Sequence, residues 1–411
     1  MRFGTACNFC KGSVLVRYTI DDINDDMVLG ESIYLPSGEL LLATGYRIKE
    51  RYRRRLIEMG YRSLLIEVEG TESVRPENTV SEVAENEMAG ALDTSSKGLM
   101  VAIQDFRDQS SEKVKDLIKK NKQHLNKYIM TSGIARALEQ FIEEIMSQSS
   151  IVLNLSAMRQ TEPSLFTHAL NVAITSLCIG KKYKLAYEEM KQLGIGALNY
   201  DLGLIALPKE LLEKSCADFS ESEQKLYRQH CAFGFIMLSQ NHLIPSTSAA
   251  VALQHHEHQE GTGFPRGIKG DNRPPLKDFS RQNMIHRFAE IVAVADRYDA
   301  CLHGRLQMGY ERLNVKDALK VVIEAGGREL NSDIVKTLIS IVPLYPVGAR
   351  VRIVNAPSPQ LVGYYGVVAK DNPENLEAPQ VIIYESKNHQ KIKPVLIDMN
   401  RHSGIVLELV V

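Results

Sequence analysis

The stretch from Val251 to Gly267 contains side chains that could bind a metal ion. Its sequence is VALQHHEHQEGTGFPRG, in which an apolar run of helical periodicity ends in His255 and His256 and a glycine-rich turn follows. Neutral imidazoles are the commonest protein ligands of transition metals. The pair alone is a weak indication, because neighbouring side chains on a helix point about 100° apart. A metal site here would need further ligands from other parts of the chain.

Similar polar side chains occur in segments that are otherwise apolar and helical in pattern. They are His168 in SLFTHALNVA, Asp201 in ALNYDLGLIALP, His230 in LYRQHCAFG and Asp296 in VAVADRYDA. A histidine or aspartate on the apolar side of a helix needs a partner, since an unpaired buried charge is strongly destabilising. One such residue could be a hydrogen-bonded core group, and an all-α fold with merely buried histidines is one interpretation. We favour a shared metal cluster for the whole group.

The ligand types indicate which metals and which reaction to expect. Mixed imidazole and carboxylate ligands suit iron, manganese or zinc, and too few thiols are nearby for a structural zinc site. An aspartate can bridge two metals about 3.5 to 4 Å apart, an arrangement that grips a phosphate during in-line displacement. The implied reaction is phosphodiester hydrolysis.

The order of these motifs, H, YD, H, HH and D, together with HHEHQEGTGFPRG, resembles the HD-GYP family. Members of that family are bacterial phosphodiesterases of the cyclic dinucleotide c-di-GMP and form a branch of the HD phosphohydrolases. The resemblance covers roughly Ser164 to Arg305. It implies two divalent transition metals, iron or manganese first, with a single metal as the alternative. The metal ligands that it implies are His168, Asp201, His230, His255, His256 and Asp296.

The resemblance also implies roles in catalysis and substrate binding. Asp201 matches the aspartate of the HD pair, which is expected to bridge the metals and to take part in catalysis. Arg305 falls where the family has an arginine thought to contact the substrate phosphate, so it is expected to be both catalytic and substrate-binding. In the glycine-rich turn, Arg266, Gly263 and Pro265 are the remaining residues expected to bind substrate.

The chain departs from the family pattern at several positions. Tyr200 stands in place of the HD histidine, so one metal loses an imidazole. Leu204 replaces the lysine of the HDxGK pattern and can neither stabilise a phosphate nor protonate a leaving oxygen. Ser164 stands where some members carry a glutamate ligand for a third metal, and Phe264 replaces the tyrosine of GYP. At most two metals and an impaired site are therefore expected.

These departures leave two functional hypotheses. The first is a metal-dependent phosphodiesterase that hydrolyses c-di-GMP with impaired activity. The second is a catalytically inactive, c-di-GMP-responsive binding or scaffold protein in bacterial signalling, because the losses fall at a metal ligand and at the expected acid. Expected partners are c-di-GMP, a diguanylate cyclase or other signalling proteins, and a second copy of the chain.

Composition restricts the class of protein. The 411 residues are 44% hydrophobic and 24% charged with a net charge of -1, which gives no electrostatic bias toward nucleic acid. No apolar run reaches about 18 residues and no signal-peptide pattern opens the chain, so a cytoplasmic protein without a membrane span is expected. Six cysteines do not suggest a disulfide framework. Cys7 and Cys10 form a C-x-x-C without the second pair of a tetrahedral site.

The predicted fold is mainly α. The pattern of residues 1–69 predicts a small α+β domain. Residues 70–97 are polar and acidic, which predicts a linker. Residues 98–342 are expected to form an all-helical HD-type domain that carries the metal site. Residues 343–411 contain short β-type runs between Asn, Pro, Gly and Ser clusters, which predicts a small, barrel-like antiparallel domain.

Overall fold

The computed structural model describes residues 14–34, 40–59, 61, 63–68, 79–107, 109–153, 165–277, 280, 283–305, 308–402 and 404–410. Cys7, Cys10 and Ser164 lie outside these residues. The mainly helical fold is confirmed, with a small strand-and-helix region before the helical core and an antiparallel sheet after it. Within the described residues, none of the helices combines the length and apolar character needed to cross a bilayer.

The N-terminal region forms as its sequence pattern predicts. Strand β1 (Val14–Thr19) pairs antiparallel with β4 (Ser63–Val68), and the short strands β2 (Ile33–Tyr34) and β3 (Leu40–Leu42) pair with each other. Helix α1 (Glu50–Glu58) lies between β3 and β4 in sequence, and its basic face is mostly exposed. The α+β character predicted for this region is confirmed.

Helix α2 (Glu82–Ala102) occupies most of the predicted linker, so the linker prediction for residues 70–97 is wrong from Glu82 onward. The side chain of Ser81 caps this helix by accepting from the backbone nitrogen of Ala84. Acidic and polar residues are interspersed along this helix with a buried apolar stripe of helical spacing. The buried members of the stripe are Ala84, Met88, Leu92 and Leu99.

Twelve further helices follow α2 within the described residues. The first five after it are α3 (Ser111–Lys120), α4 (Lys122–Leu125), α5 (Ser132–Ser147), α6 (Leu165–Lys182) and α7 (Tyr187–Asn199). The next four are α8 (Lys209–Leu212), α9 (Glu221–Tyr227), α10 (Gln229–Ser239) and α11 (Ser246–Gln254). The last three are α12 (Arg287–His303), α13 (Val315–Ala325) and α14 (Ser332–Ile339).

Helix α6 lies at the centre of this bundle. Its described side chains from His168 to Gly180 are all buried, and it packs against α7 on one side and α12 on another. A helix that is apolar on every side belongs inside a core, so a histidine on it must find its partners within the protein. This packing encloses the predicted site residues of α6 and α12.

The C-terminal region is an open antiparallel sheet in the order β8-β7-β6-β5-β9. Its strands are β5 (Arg350–Asn355), β6 (Tyr365–Lys370), β7 (Gln380–Glu385), β8 (Lys391–Asp398) and β9 (Val406–Leu409). The antiparallel prediction is confirmed, but the barrel does not close. In the described residues the edge strands β8 and β9 pair with β7 and β5 and not with each other.

The two ends of the chain share a hydrophobic core, which the sequence pattern did not indicate. Val367, Ile382 and Tyr384 of the C-terminal sheet pack with the core of the N-terminal region. The hydroxyls of Tyr18 and Tyr384 lie 3.4 Å apart, and the guanidinium of Arg350 lies 4.9 Å from the centroid of the Tyr18 ring. The first and last segments of the chain are therefore packed against each other.

Candidate metal centre

Five chain segments meet at the centre. His168 lies on α6, Asp201 directly after α7, His230 on α10, His255 at the end of α11 and Asp296 on α12. These segments bring the side chains into two groups that share Asp201. The four-donor set is Asp201, His230, His255 and His256, and the three-donor set is His168, Asp201 and Asp296. Within each set, one ligand atom per residue lies within 4.8 Å of all the others.

A close approach of two backbones places Asp201 beside His230. A short 3-10 helix, Leu202–Ala206, follows Asp201 and packs on α10. A Cβ atom at Gly203 would lie 1.9 Å from the carbonyl oxygen of His230 and 2.6 Å from the backbone nitrogen of Gly234. No other residue type fits at this position, because the added atom would overlap backbone that cannot move aside. Gly203 thus permits the close approach that brings Asp201 and His230 together.

Three atoms of the four-donor set have the spacing of ligands around a single metal ion. The Nε2 atoms of His230 and His255 lie 3.5 and 3.4 Å from Oδ1 of Asp201 and 3.3 Å from each other. Two ligands in a tetrahedral arrangement, each about 2.1 Å from an ion, are separated by about 3.4 Å. These three atoms therefore already have the separations that a bound ion would require.

The histidines of this set present their lone pairs to one another. Nδ1 of His230 donates to the carbonyl oxygen of Tyr227 at 2.7 Å, and Nδ1 of His255 donates to that of Val251 at 3.1 Å. Because a carbonyl oxygen only accepts, each Nδ1 carries the proton and each Nε2 is left as a ligand. Burial lowers the pKa of His230 to about 4. Burial, followed by the neighbouring His255 and His230, lowers the pKa of His256 well below its usual value.

The glycine-rich turn packs directly on His256. The ring of Phe264 stacks on the imidazole of His256 with centroids 4.5 Å apart, and a Cβ at Gly263 would lie 2.3 Å from the carbonyl oxygen of His256. The Phe264–Pro265 peptide bond is cis. Both carboxylate oxygens of Glu257 accept from the turn, one from the backbone nitrogen of Arg266. The side chain of Arg266 is exposed at the edge of this turn.

The three-donor set is held by hydrogen bonds among its own members. Nε2 of His168 lies 2.7 Å from Oδ1 of Asp296, and Nδ1 of His168 lies 2.6 Å from Oδ2 of Asp299. The hydroxyl of Tyr200 donates to the same Oδ1 of Asp296 at 2.6 Å. Burial and the charge of Arg305 lower the pKa of His168, but the hydrogen bonds to Asp296 and Asp299 outweigh them and raise it.

Arg305 lies inside this centre and contacts its carboxylates. Nη2 donates to Oδ2 of Asp201 at 2.8 Å, and Nη1 lies 3.5 Å from Oδ1 of Asp296 and 3.4 Å from the hydroxyl of Tyr200. Burial alone would raise the pKa of Asp201, but Arg305, His255 and His230 hold it well below its usual value. Burial and then the neighbouring carboxylates of Asp201 and Asp296 raise the pKa of Tyr200 well above 10, so the phenol is neutral.

Sequence reasoning missed one member of the centre and one contact within it. Asp299 was not selected, although it follows Asp296 by three residues and so lies on the same face of α12. The contact between Arg305 and Asp201 was not foreseen, because nothing in the spacing of two residues so far apart shows that they meet. The structure brings together all six residues predicted as metal ligands.

A family model described as HD domain matches residues 112–333, which is more than half of the chain. The chain therefore belongs to the HD domain family. Among curated proteins it is similar to the cyclic di-GMP phosphodiesterase PA4108 of Pseudomonas aeruginosa, with 24% identity over 275 residues, or 66% of this chain and 61% of that protein. The HD resemblance inferred from the motifs is confirmed.

Two further relatives are similar over shorter stretches. The cyclic di-GMP phosphodiesterase response regulator RpfG of Xanthomonas campestris is 34% identical over 129 residues, or 31% of this chain and 30% of that protein. The 3'3'-cGAMP-specific phosphodiesterase 1 of Vibrio cholerae is 29% identical over 175 residues, or 42% of this chain and 36% of that protein. The chain thus spans between about a third and three fifths of the length of these relatives.

Proposed function

We propose that this protein is a metal-dependent phosphodiesterase that hydrolyses a cyclic dinucleotide, with c-di-GMP as the first candidate and with impaired activity. The observation that carries this proposal is the four-donor set, in which the ligand atoms of Asp201, His230 and His255 lie 3.3 to 3.5 Å apart and His256 completes the group within 4.8 Å. Relatives named for c-di-GMP and for 3'3'-cGAMP support a cyclic dinucleotide as the substrate class.

The residues of the four-donor set fit iron or manganese. Asp201, His230, His255 and His256 would hold the ion through one carboxylate and three imidazoles, a mixture that suits these metals. When bound, the ion supplies Lewis-acid charge for attack on a phosphodiester. His230 and His256 are neutral near pH 7, so they do not have to lose a proton to become ligands.

The glycine-rich turn is the proposed site for the substrate phosphate. Arg266 is exposed there, and its guanidinium can form two parallel hydrogen bonds to a phosphate. Gly263 and Pro265 shape the turn that carries it, and the stacking of Phe264 on His256 links the turn to the four-donor set. Arg305, the other arginine predicted to contact substrate, has its guanidinium bound to Asp201.

Two substitutions motivate the proposal of impaired activity. Tyr200 is neutral and donates to Asp296, so it does not replace the imidazole of an HD pair. Leu204 is buried in the turn after Asp201 and has no proton to give to a leaving oxygen. The proton for the leaving group must therefore come from another donor, such as water.

The second candidate function is a c-di-GMP-responsive binding or scaffold protein without catalysis. It is favoured by the ion pair between Arg305 and Asp201 and by the bond from Tyr200 to Asp296, which engage two carboxylates of the centre. Under either function we propose cyclic dinucleotides as ligands, and signalling proteins such as a diguanylate cyclase or a second copy of the chain as partners. The cytoplasmic location stays a prediction.

Turnover and metal content, measured on one sample, test the proposal. Protein loaded anaerobically with ferrous iron or manganese is incubated with c-di-GMP and, separately, with 3'3'-cGAMP, and the products are quantified by chromatography. We expect a slow release of hydrolysed dinucleotide that is abolished in His255→Ala and retained in His242→Ala, which changes an exposed histidine. If the metal-loaded protein binds the nucleotide but releases no product, the proposed phosphodiesterase activity is wrong and the binding function is supported.

A further inference from the structure

We infer that this centre binds one metal ion, at the four-donor set. The guanidinium of Arg305 supplies to the three-donor set the positive charge that a second ion would otherwise supply. This inference rests on the metal binding in the proposed function. It assigns Arg305 to the three-donor set, where a second ion would otherwise be expected, and removes it from direct contact with the substrate.

The two carboxylate oxygens of Asp201 have different neighbours. Oδ1 lies 3.5 Å from Nε2 of His230 and 3.4 Å from Nε2 of His255, which is the spacing of ligands around one ion. Oδ2 accepts from Nη2 of Arg305 at 2.8 Å. A carboxylate that bridged two ions would use its second oxygen for the second ion. Here that oxygen is taken by a guanidinium.

The other two donors of the three-donor set, His168 and Asp296, are hydrogen-bonded to each other. Oδ1 of Asp296 accepts from Tyr200 at 2.6 Å and lies 2.7 Å from Nε2 of His168. The second distance is that of a hydrogen bond, and it is shorter than the 3.3 to 3.5 Å found among the ligand atoms of Asp201, His230 and His255. His168 and Asp296 are thus bonded to each other and not spaced around an ion.

The buried positive charge of Arg305 opposes a second ion at the three-donor set. Arg305 is 7% exposed, and its charge cannot be removed by deprotonation. A dication bound to Asp201 and Asp296 would face this charge in a site from which water is largely excluded, where like charges repel strongly. The backbone of Arg305 is also fixed, because its nitrogen donates to the carbonyl oxygen of Tyr310 at 2.8 Å and its own carbonyl oxygen accepts from the nitrogen of Tyr310 at 3.1 Å.

Manganese titration of the full chain tests the inference. Bound manganese per chain is measured by elemental analysis after equilibrium dialysis, and electron paramagnetic resonance separates an isolated ion from a pair of interacting ions. We expect a ratio of one and the signal of an isolated ion in the natural protein. A ratio of two with the signal of a pair overturns the inference, even if no variant can be prepared.

Variants show whether Arg305 is the cause. Arg305→Met removes the charge and keeps most of the volume, and the double variant Arg305→Met, Tyr200→His adds the missing imidazole. We expect the double variant to bind a second ion and to give the signal of a pair. A ratio that stays at one in the folded double variant overturns the role given to Arg305. The matched control is Arg287→Met, which removes an arginine that lies at the start of α12 and pairs with Glu189.

The outcomes separate this inference from the proposed function. One bound ion without hydrolysis would support the role given to Arg305 and contradict the proposed phosphodiesterase activity. Two bound ions with hydrolysis would support the phosphodiesterase activity and contradict the role given to Arg305. Thermal unfolding in the presence of a chelator, recorded for each variant, identifies a variant that has lost its fold before its metal content is interpreted.

Discussion

The two sides of Asp201 use the same kinds of side chain in different ways. On the side of Oδ1, imidazoles direct lone pairs at one point and have their other nitrogens fixed by backbone carbonyls. On the side of Oδ2, an arginine, a tyrosine and a histidine bond directly to carboxylates. On the first side the lone pairs face one another with the spacing of ligands around one ion, whereas on the second side a guanidinium donates directly to the carboxylate. Ligand types alone therefore do not define a metal site, and hydrogen-bond directions must be known.

The largest effect is expected from His230→Ala on the four-donor side. This change removes a buried side chain of the proposed metal site, and loss of a group that only orients a ligand already costs about 10- to 100-fold in metal affinity. We expect manganese affinity to fall by more than about 100-fold and hydrolysis to become undetectable. Equilibrium dialysis provides the measurement, with His242→Ala as the control. A variant that kept its metal would show that the four donors are not the binding site.

Asp201→Asn tests the carboxylate that both sides share. The variant leaves the guanidinium of Arg305 buried without its closest partner, and breaking a buried ion pair in this way costs about 3 to 5 kcal/mol. We expect the free energy of unfolding, measured by urea titration with a chelator present, to fall by about that amount. Asp317→Asn, which changes an exposed carboxylate, is the control. A loss below about 1 kcal/mol would show that the pair is not held as described.

The sequence predicted which residues would be brought together, but not how they would bond. His168, Asp201 and Asp296 interrupt apolar helical faces, and such residues are driven to one interior because each needs a polar partner. Helical spacing says nothing about which partner that is. The contact of Arg305 with Asp201 spans 104 residues and depends on how α12 ends against the turn after α7. That arrangement is a result of packing, which periodicity does not encode.

The linker and the shared core show the same limit. In α2 the apolar residues recur every four or seven positions among acidic and polar neighbours, so local polarity hid a stripe that the core requires. In the C-terminal sheet, alternation predicted strands but not the burial of Tyr384 against Tyr18. Local composition identifies elements reliably only where both faces of the element are apolar or the alternation is strict.

Tyr200→Phe tests on which side of Asp201 the ion binds, because it removes only one hydroxyl, from the three-donor side. The hydroxyl donates to a buried carboxylate, and loss of such a bond costs about 1 to 3 kcal/mol. We expect the free energy of unfolding to fall within that range while manganese affinity at the four-donor set is unchanged. Tyr187→Phe, at an exposed position, is the control. A large loss of manganese affinity in Tyr200→Phe would mean that the ion binds on the three-donor side.

The smallest effect is expected from Phe264→Leu, which acts on the four-donor side from outside the ligands. Stacking of aromatic rings contributes about 0.5 to 1.5 kcal/mol, and the Phe264 ring restrains the imidazole of His256. If all of that stabilisation acts in the metal-bound protein, the Kd for manganese rises by about two- to tenfold. Phe264→Tyr keeps the ring and should leave the Kd unchanged, so an equal effect of both variants would contradict the role given to stacking. Because His256 is the least buried ligand of its set, even this modest restraint should appear in the affinity.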